Sequence, residues 1–111
     1  MTLVRESELI LLLRLDRCEE FNERARQTPP DLENADLRMM DLRLAALVKA
    51  NLRGAYLRNA DLRGVDLSDA DLTGASIHEA RISGCFFPES LSAEEISLSV
   101  SQGTRMRPRR A

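Results

Sequence analysis

The stretch "NADLRGVDLSDADLTGAS", which runs from Asn59 to Ser76, places a leucine at every fifth position. An α-helix advances by about 100° per residue, so residues five apart drift around its surface. In an extended strand the side chains alternate, so residues five apart point to opposite faces. Neither element keeps a five-residue period on one side. The stretch therefore predicts a chain that bends at regular intervals.

The five-residue period extends over twelve consecutive pentads, from Pro30 to Glu89. Leucine, isoleucine or phenylalanine occupies the central position of every pentad, from Leu32 to Phe87. A small or apolar residue lies two positions earlier in all pentads except the first, and Asp or Asn often lies between the two. A periodic pattern of this length predicts a repeat architecture.

The spacing within one pentad predicts which side chains point inward. In extended conformation the small residue and the leucine share a face, so we expect both inside and the residues that flank the leucine in solvent. The fifth position carries turn formers such as Asn59, Gly64 and Asp69, where the chain is expected to bend. Repeated bends of one hand predict an all-β solenoid with leucines stacked along its axis. The residues alone fit either three or four bends per coil.

The pentads "ANLRG", "NADLRG" and "DADLTG" resemble those of the pentapeptide-repeat family, and the resemblance covers 60 of the 111 residues. It implies a right-handed quadrilateral β-helix with four pentads per coil, which gives about three coils of 20 residues in this chain. It also implies that residues 20 positions apart stack in columns on the outer surface.

The flanking segments predict helical caps for the two ends of the coil. Residues 6–27 lack Gly and Pro and are rich in helix formers, which predicts one N-terminal α-helix that ends before Pro29. A short C-terminal α-helix is expected after Ser92, with Ser92 as N-cap, Glu95 as its reciprocal partner and Gly103 as the stop. The expected organisation is a capping helix over 1–29, the β-helix over 30–89, a second capping helix over 90–103 and a basic tail over 104–111.

Composition and charge indicate which kinds of partner and which cellular compartment to expect. Sixteen basic residues against 18 acidic ones leave a net charge of −2, so direct nucleic-acid binding is not expected. Cys18 and Cys85 lie 67 positions apart and form no metal or disulfide pattern, which favours a cytoplasmic protein with reduced thiols. The longest apolar run, Leu9–Leu13, is too short for a membrane span or an export signal, so no membrane partner is expected.

Residues that could carry chemistry are few. The one histidine, His78, occupies an outward position beside Glu79, and no second His or Cys is spaced to complete a metal site. The glycines recur singly at corners and form no phosphate-binding loop. The sequence therefore predicts no enzyme, with no catalytic residue, no cofactor, no metal and no small-molecule substrate.

The outer columns predict a candidate partner surface. It combines an arginine block with apolar residues of the first coil, and its members are Met39, Leu44, Val48, Arg38, Arg43, Arg58 and Arg63. Two interpretations of the arginines compete: an anion-binding patch, or a solvated surface neutralised by aspartates two residues away, which we prefer. For the apolar residues, cover by the N-terminal helix is preferred to a partner or dimer contact.

The basic tail "TRMRPRR" allows two interpretations as well. Its four arginines, Arg105, Arg107, Arg109 and Arg110, could attract an acidic partner or nucleic acid. A mobile terminus is the preferred expectation.

A non-catalytic protein-binding module, a small rigid rod that presents a surface to an unidentified protein partner, is the predicted function. A homodimer is a further expectation, because Leu9–Leu13 is apolar on all sides. The family resemblance implies an alternative, a mimic of duplex DNA that binds a type II topoisomerase (gyrase). Residues 30–89 carry ten acidic and seven basic residues, and the arginines group on two faces, which fits that alternative poorly.

Overall fold

The computed structural model describes residues 2–109, in which three α-helices flank the repeat segment. Helix α1 spans Thr2–Arg14, α2 spans Cys18–Gln27 and α3 spans Ala93–Gln102. The repeat segment lies between α2 and α3 and turns once in every pentad. No helix within residues 2–109 is long and apolar enough to cross a membrane.

The predicted all-β fold, a right-handed quadrilateral β-helix, is wrong, because residues 2–109 contain no β-strand and no sheet. The repeat segment pairs with itself only through isolated parallel bridges, such as Asp31 with Asn51 and Asn51 with Asp71. The physical reason lies in the period itself. The backbone turns away after five residues, so one residue per pentad keeps its parallel pairing, whereas a strand needs several consecutive paired residues.

These bridges join residues 20 positions apart and stack the segment as three coils, residues 30–49, 50–69 and 70–89. Four turns interrupt each coil and divide its surface into four faces. We number the faces by their residues in the first coil, and each face includes the residues 20 and 40 positions later: face 1 is 31–34, face 2 is 36–39, face 3 is 41–44 and face 4 is 46–49.

The interior of the coils is a column of leucines. Leu57, Leu62 and Leu67 in the second coil have no exposed surface, and the small residues Ala55 and Ala60 beside them are equally buried. Burial of one leucine side chain stabilises a fold by about 1.5–3 kcal/mol. The inward positions predicted from the pentad are therefore confirmed.

Backbone hydrogen bonds hold one coil on the next. The Leu57 amide donates to the Ser76 carbonyl at 2.9 Å, and the Leu62 amide donates to the Arg81 carbonyl at 2.8 Å. The turn is closed by a bond from the first residue of the next pentad, because the Ala60 amide donates to the Leu57 carbonyl at 3.1 Å. The buried backbone is thus satisfied without a continuous strand ladder.

Most corners of the coils need the left-handed backbone conformation. Gly54 has φ +67°, and a Cβ atom there would lie 2.1 Å from Asn34 Oδ1. Asn59 has φ 58°, and asparagine tolerates this region better than most residues. Met39 takes the same conformation, with φ 64°, although it has neither advantage.

The single N-terminal helix predicted over residues 6–27 is replaced by two helices. Asp16 adopts φ 61° and breaks the segment after Arg14. The break folds α2 back beside α1, and Arg24 of α2 pairs with Glu8 of α1 at 3.3 Å. Both helices then contribute to the core, with Leu13 from α1 and Phe21 from α2 buried.

Helix α3 begins and ends where the sequence predicts. The Ser92 hydroxyl accepts a hydrogen bond from the Glu95 amide at 3.2 Å, and Gly103 ends the helix with φ 75°. The predicted reciprocal bond from Glu95 to the N-cap is wrong. The Glu95 carboxylate accepts from the Arg107 amide at 2.9 Å and pairs with the Arg107 guanidinium.

The tail after α3 is docked on the third coil, which contradicts the expectation of a mobile terminus for residues 104–109. The Met106 side chain has no exposed surface. The Met106 amide donates to the Ala75 carbonyl at 2.9 Å, and its carbonyl accepts from the Gly74 amide at 2.8 Å. Arg110 lies outside the described residues. The division of the chain into four segments stays a prediction.

Candidate partner-binding surface

The predicted partner surface occupies two adjacent faces and their corners. Arg38 and Arg58 lie on face 2, and Arg43 and Arg63 lie on face 3. Among the apolar members, Met39 ends face 2 of the first coil and Leu44 ends face 3, whereas Val48 lies on face 4. All four arginines are exposed, and Val48 is half-buried.

Met39 and Leu44 are each 78% exposed. The expectation that the N-terminal helix covers these two side chains is therefore wrong. Ala46 and Val48, further along the first coil, are half-buried. We use the name corner surface for Met39 and Leu44 together.

Asn22 of α2 holds the helix beside Leu44 without covering it. Its Nδ2 donates to the Leu44 carbonyl at 2.9 Å, and its Oδ1 accepts from the Ala46 amide at 2.7 Å. Bridge residues of the second coil donate their amides to the coil before them, as the Tyr56 amide does to the Ala35 carbonyl at 2.9 Å. Ala46 lies in the first coil and has no earlier coil, so the Asn22 side chain supplies the acceptor for its amide. Asn22 could not be recognised from the sequence, because it lies outside the pentads and carries no periodic signal.

Met39 occupies an unfavourable position in two respects. Its left-handed backbone costs about 1 kcal/mol or more for a residue with a Cβ atom. Its apolar side chain also stays in water. The equivalent corners of the next two coils carry the polar residues Asn59 and Glu79, each with φ 58°. Stability alone does not account for a methionine here, which makes Met39 a candidate functional residue.

Three of the four arginines are neutralised by an aspartate two residues before them. Arg38 binds Asp36 through Nε and Nη2, both at 2.8 Å. The same two-point contact joins Arg43 with Asp41 and Arg63 with Asp61, at 2.7–2.9 Å. Hydrogen bonds from the guanidinium groups lower the pKa of Asp36 and of Asp61 to about 2.

Arg58 does not share this arrangement, because Tyr56 stands where the other units have aspartate. Among residues 8–109, whose side chains the structure describes, Arg58 forms no ion pair. The Tyr56 ring instead lies against Arg105 of the tail, whose Cζ is 5.2 Å from the ring centroid. The Arg105 Nη2 also donates to the Tyr56 hydroxyl at 3.0 Å.

His78 and the two cysteines have ordinary structural surroundings. His78 Nε2 lies 3.2 Å from a Glu79 carboxylate oxygen. Burial raises the pKa of the Cys85 thiol to about 11 and also raises that of Cys18, so neither is a reactive thiolate. In the part of the chain with described side chains, residues 8–109, no group of three or more His, Cys, Asp or Glu is placed to bind a metal ion.

The charges of the coils are divided between opposite sides. Face 1 carries Asp31, Glu33 and Asp71 against one arginine, Arg53. Face 4 carries three acidic residues, Asp66, Asp69 and Glu89, against one lysine. Faces 2 and 3 contain the arginine block, so one side of the rod is acidic and the other is not.

The geometry defines a class of protein: a repeat protein whose stacked coils enclose leucines and present side chains in columns. A family model of pentapeptide repeats (8 copies) matches residues 31–64 and 50–87, which together exceed half of the chain. The chain belongs to the pentapeptide-repeat family, whose members are typically non-enzymatic protein-interaction modules. No curated protein and no solved structure gives a significant match.

Proposed function

We propose that this protein is a non-catalytic binding module whose protein partner docks an apolar side chain on the corner surface. One observation carries the proposal: Met39 is 78% exposed in a left-handed backbone conformation. Backbone outliers of this kind persist where the surrounding structure holds them, and they cluster at functional sites. Leu44, one pentad later and equally exposed, adds a second apolar contact.

The surroundings of the corner surface suit a small protein interface. Arg43 and Asp41 lie between Met39 and Leu44 in the chain and are joined by a two-point ion pair. Protein interfaces commonly place apolar residues centrally within a polar rim. The coil behind them is packed on buried Leu37 and Leu42, so the two corners keep a constant separation.

The mimicry of duplex DNA has less support. A DNA mimic needs acidic columns on the surface that meets a topoisomerase, and faces 1 and 4 hold six of the ten acidic residues of the coils. The neighbouring faces 2 and 3 carry arginines, of which three are held by aspartates. Association of two copies through the corner surface is the other competitor, and a mass measurement separates it from a different partner.

The experiment is a capture from lysate of the source cells with the full chain as bait. The test variant is Met39→Asn with Leu44→Ser. Asparagine occupies the equivalent left-handed corner at position 59, so the variant is expected to fold and to melt at or above the wild-type temperature. The matched control is Phe86→Ser, which removes an exposed apolar side chain from a different place, face 4 of the third coil.

The proposal predicts one or more proteins that bind the wild type and the Phe86→Ser control and are lost with the double variant. Light scattering of the purified bait is expected to give a monomer at the capture concentration. If the double variant retains every bound protein, or if it dissociates a wild-type dimer, the proposed docking of a different protein partner on the corner surface is contradicted.

A further inference from the structure

A cavity of about 280 Å³ lies on face 2, between the second coil and the C-terminal tail. Its polar lining comprises Arg38, Tyr56, Arg58, Ser76, His78 and Arg105. Three guanidinium groups and an imidazole thus border one space, and no Asp or Glu is among the lining residues.

The absence of an acid from this lining has a local cause in the pentads. On the same face one coil earlier, Asp36 engages Arg38 through both carboxylate oxygens. Tyr56 and Ser76 take the place of that aspartate in the second and third coils. Arg58 therefore keeps all its hydrogen-bond donors available within the described residues, which the other arginines of the block do not.

The C-terminal tail contributes the guanidinium group of Arg105 to the same cavity. Arg105 is held by two neutral acceptors, the Tyr56 hydroxyl at 3.0 Å and the Gly74 carbonyl at 3.0 Å. Neither acceptor cancels its charge. The position of the tail is also tightly constrained, since a Cβ atom at Gly103 would lie 2.5 Å from His78 Nδ1.

The charge around the cavity suits a dianion. Asp36 and Glu79 are the acidic groups of face 2, and they lie against Arg38 and His78. The basic groups are Arg38, Arg58 and Arg105, with Arg14 of α1 in the adjoining cavity on the same face. Four guanidinium groups against two carboxylates leave +2 with His78 neutral, and a phosphate monoester carries about −1.5 to −2 at pH 7.

We propose that this cavity, lined by Arg58, Arg105, Tyr56 and His78, is a binding site for one phosphate group. Arginine forks match the oxygens of phosphate, and charge-assisted bonds of this kind are about twice as strong as neutral ones. The volume is at the lower limit of ligand pockets, so it accommodates the anionic group and leaves the rest of the ligand outside. A small phosphorylated metabolite and a phosphorylated protein side chain share this chemistry.

This site goes beyond the proposed function and does not depend on it. The corner surface is tested by capture of a protein, whereas the phosphate site is tested with purified protein and defined anions. If one of the two proposals is contradicted by its experiment, the other proposal still stands.

The experiment is an NMR titration of the full ¹⁵N-labelled chain with inorganic phosphate at constant ionic strength. Saturable shifts are expected at the amides of Arg58, His78 and Arg105. Sodium acetate is the comparison anion. Because acetate carries a single charge, its affinity for the cavity is expected to be at least about tenfold lower than that of phosphate. Shifts that never saturate, or equal affinity for the two anions, would overturn the proposal.

Two variants test the residues, and one matched variant controls for net charge. Arg58→Gln is expected to weaken phosphate binding by about tenfold. Arg53→Gln removes a guanidinium from the same pentad position on face 1, where Asp71 pairs with it at 3.0 Å, and should leave the affinity within about twofold. Equal losses for the two variants would mean general charge attraction and would overturn the site.

Tyr56→Asp gives a sharper test, because it restores the Asp–Leu–Arg unit found at Asp36, Asp41 and Asp61. The variant is expected to fold, since six other pentads hold aspartate at this position, and to lose phosphate binding. Free phosphoserine and a short phosphoserine peptide then distinguish the sources. Equal affinity indicates a small metabolite, and tighter peptide binding indicates a phosphoprotein. Binding of neither, or full binding by Tyr56→Asp, contradicts the proposal.

Discussion

The two ends of the coiled segment are closed in different ways. At the C-terminal end, the tail and α3 pair directly with the backbone of the third coil, through Gly74, Ile77 and Glu79. At the N-terminal end, α2 contacts the first coil through the side chain of Asn22. The C-terminal cap thus continues the hydrogen bonding between coils. The N-terminal cap replaces that hydrogen bonding at one position only, where Asn22 binds.

This difference explains why apolar residues of the first coil are exposed to solvent. The hydroxyl of Ser99, buried in α3, accepts from the Ile77 amide at 3.0 Å and donates to the Thr104 carbonyl at 2.7 Å. Helix and tail are thereby held closely over face 2 of the third coil. The N-terminal helices are anchored beside face 4, and the corners at Met39 and Leu44 stay in solvent.

The largest effect is expected in the second coil, on which both ends depend. Leu62→Asp introduces a carboxylate into the leucine column, where the native side chain has no exposed surface. Without a partner such a charge is strongly destabilising, so the whole domain should unfold at 25 °C. Circular dichroism and thermal melting measure the change. Arg63→Ala, at the next residue, should melt within a few degrees of wild type, and a folded Leu62→Asp would disprove the inward assignment.

The next largest effect is expected at the C-terminal end. Ser99→Ala leaves the Ile77 amide and the Thr104 carbonyl without their partner, which should lower the free energy of unfolding by about 1–3 kcal/mol. Urea unfolding measures it. Ser101→Ala is the matched control, because Ser101 is exposed and bonds only within α3. Equal stability of the two variants would remove the claim that Ser99 joins α3 to the coil.

A smaller loss is expected at the N-terminal end. Asn22→Ala removes both hydrogen bonds to the first coil, which should lower the free energy of unfolding by about 1 kcal/mol, because water can reach these partly buried groups. The same urea measurement compares it with Ser99→Ala. A loss for Asn22→Ala that exceeds the loss for Ser99→Ala would reverse the comparison between the ends.

The smallest effect is a pH dependence carried by the exposed ion pairs of the first two coils. The pKa of Asp36 and of Asp61 is lowered to about 2 from 3.8 by hydrogen bonds from arginine. A lowered pKa contributes stability that is present above about pH 4 and is lost as the pH falls towards 2. Melting temperatures between pH 2 and 6 should decline in that window, and Asp36→Asn should flatten the decline. An unchanged profile in Asp36→Asn would show that the pair contributes nothing.

Much of the coil could be predicted from the sequence, because the pentad repeats its physical requirements twelve times. The buried leucines, the corner glycines, and Ser92 and Gly103 at the ends of α3 all follow from local rules. The all-β class could not be deduced correctly, since inward and outward alternation does not determine how many consecutive residues pair. A pattern of side-chain directions is compatible with isolated bridges.

The parts that escaped prediction depend on contacts between distant residues. Asp16 breaks the N-terminal helix in a conformation that helix propensity does not anticipate. Met106 is a single apolar residue among arginines, and its burial against the third coil depends on the position of α3. The cavity beside Arg58 could be predicted only in part. The replacement of aspartate by Tyr56 is visible in the sequence, but the contact of Arg105 with Tyr56 is not, because it depends on how the tail folds back.

Amide hydrogen exchange of the full chain, followed residue by residue by NMR, tests the comparison of the two ends most directly. The Ile77 amide, bound to Ser99, is expected to exchange about as slowly as that of Leu57 in the second coil. The Ala46 amide, bound to Asn22, is expected to exchange faster than both. Exchange at Ile77 as fast as at Ala46 would disprove the difference between the two ends, because the C-terminal end would then be no better closed than the N-terminal one.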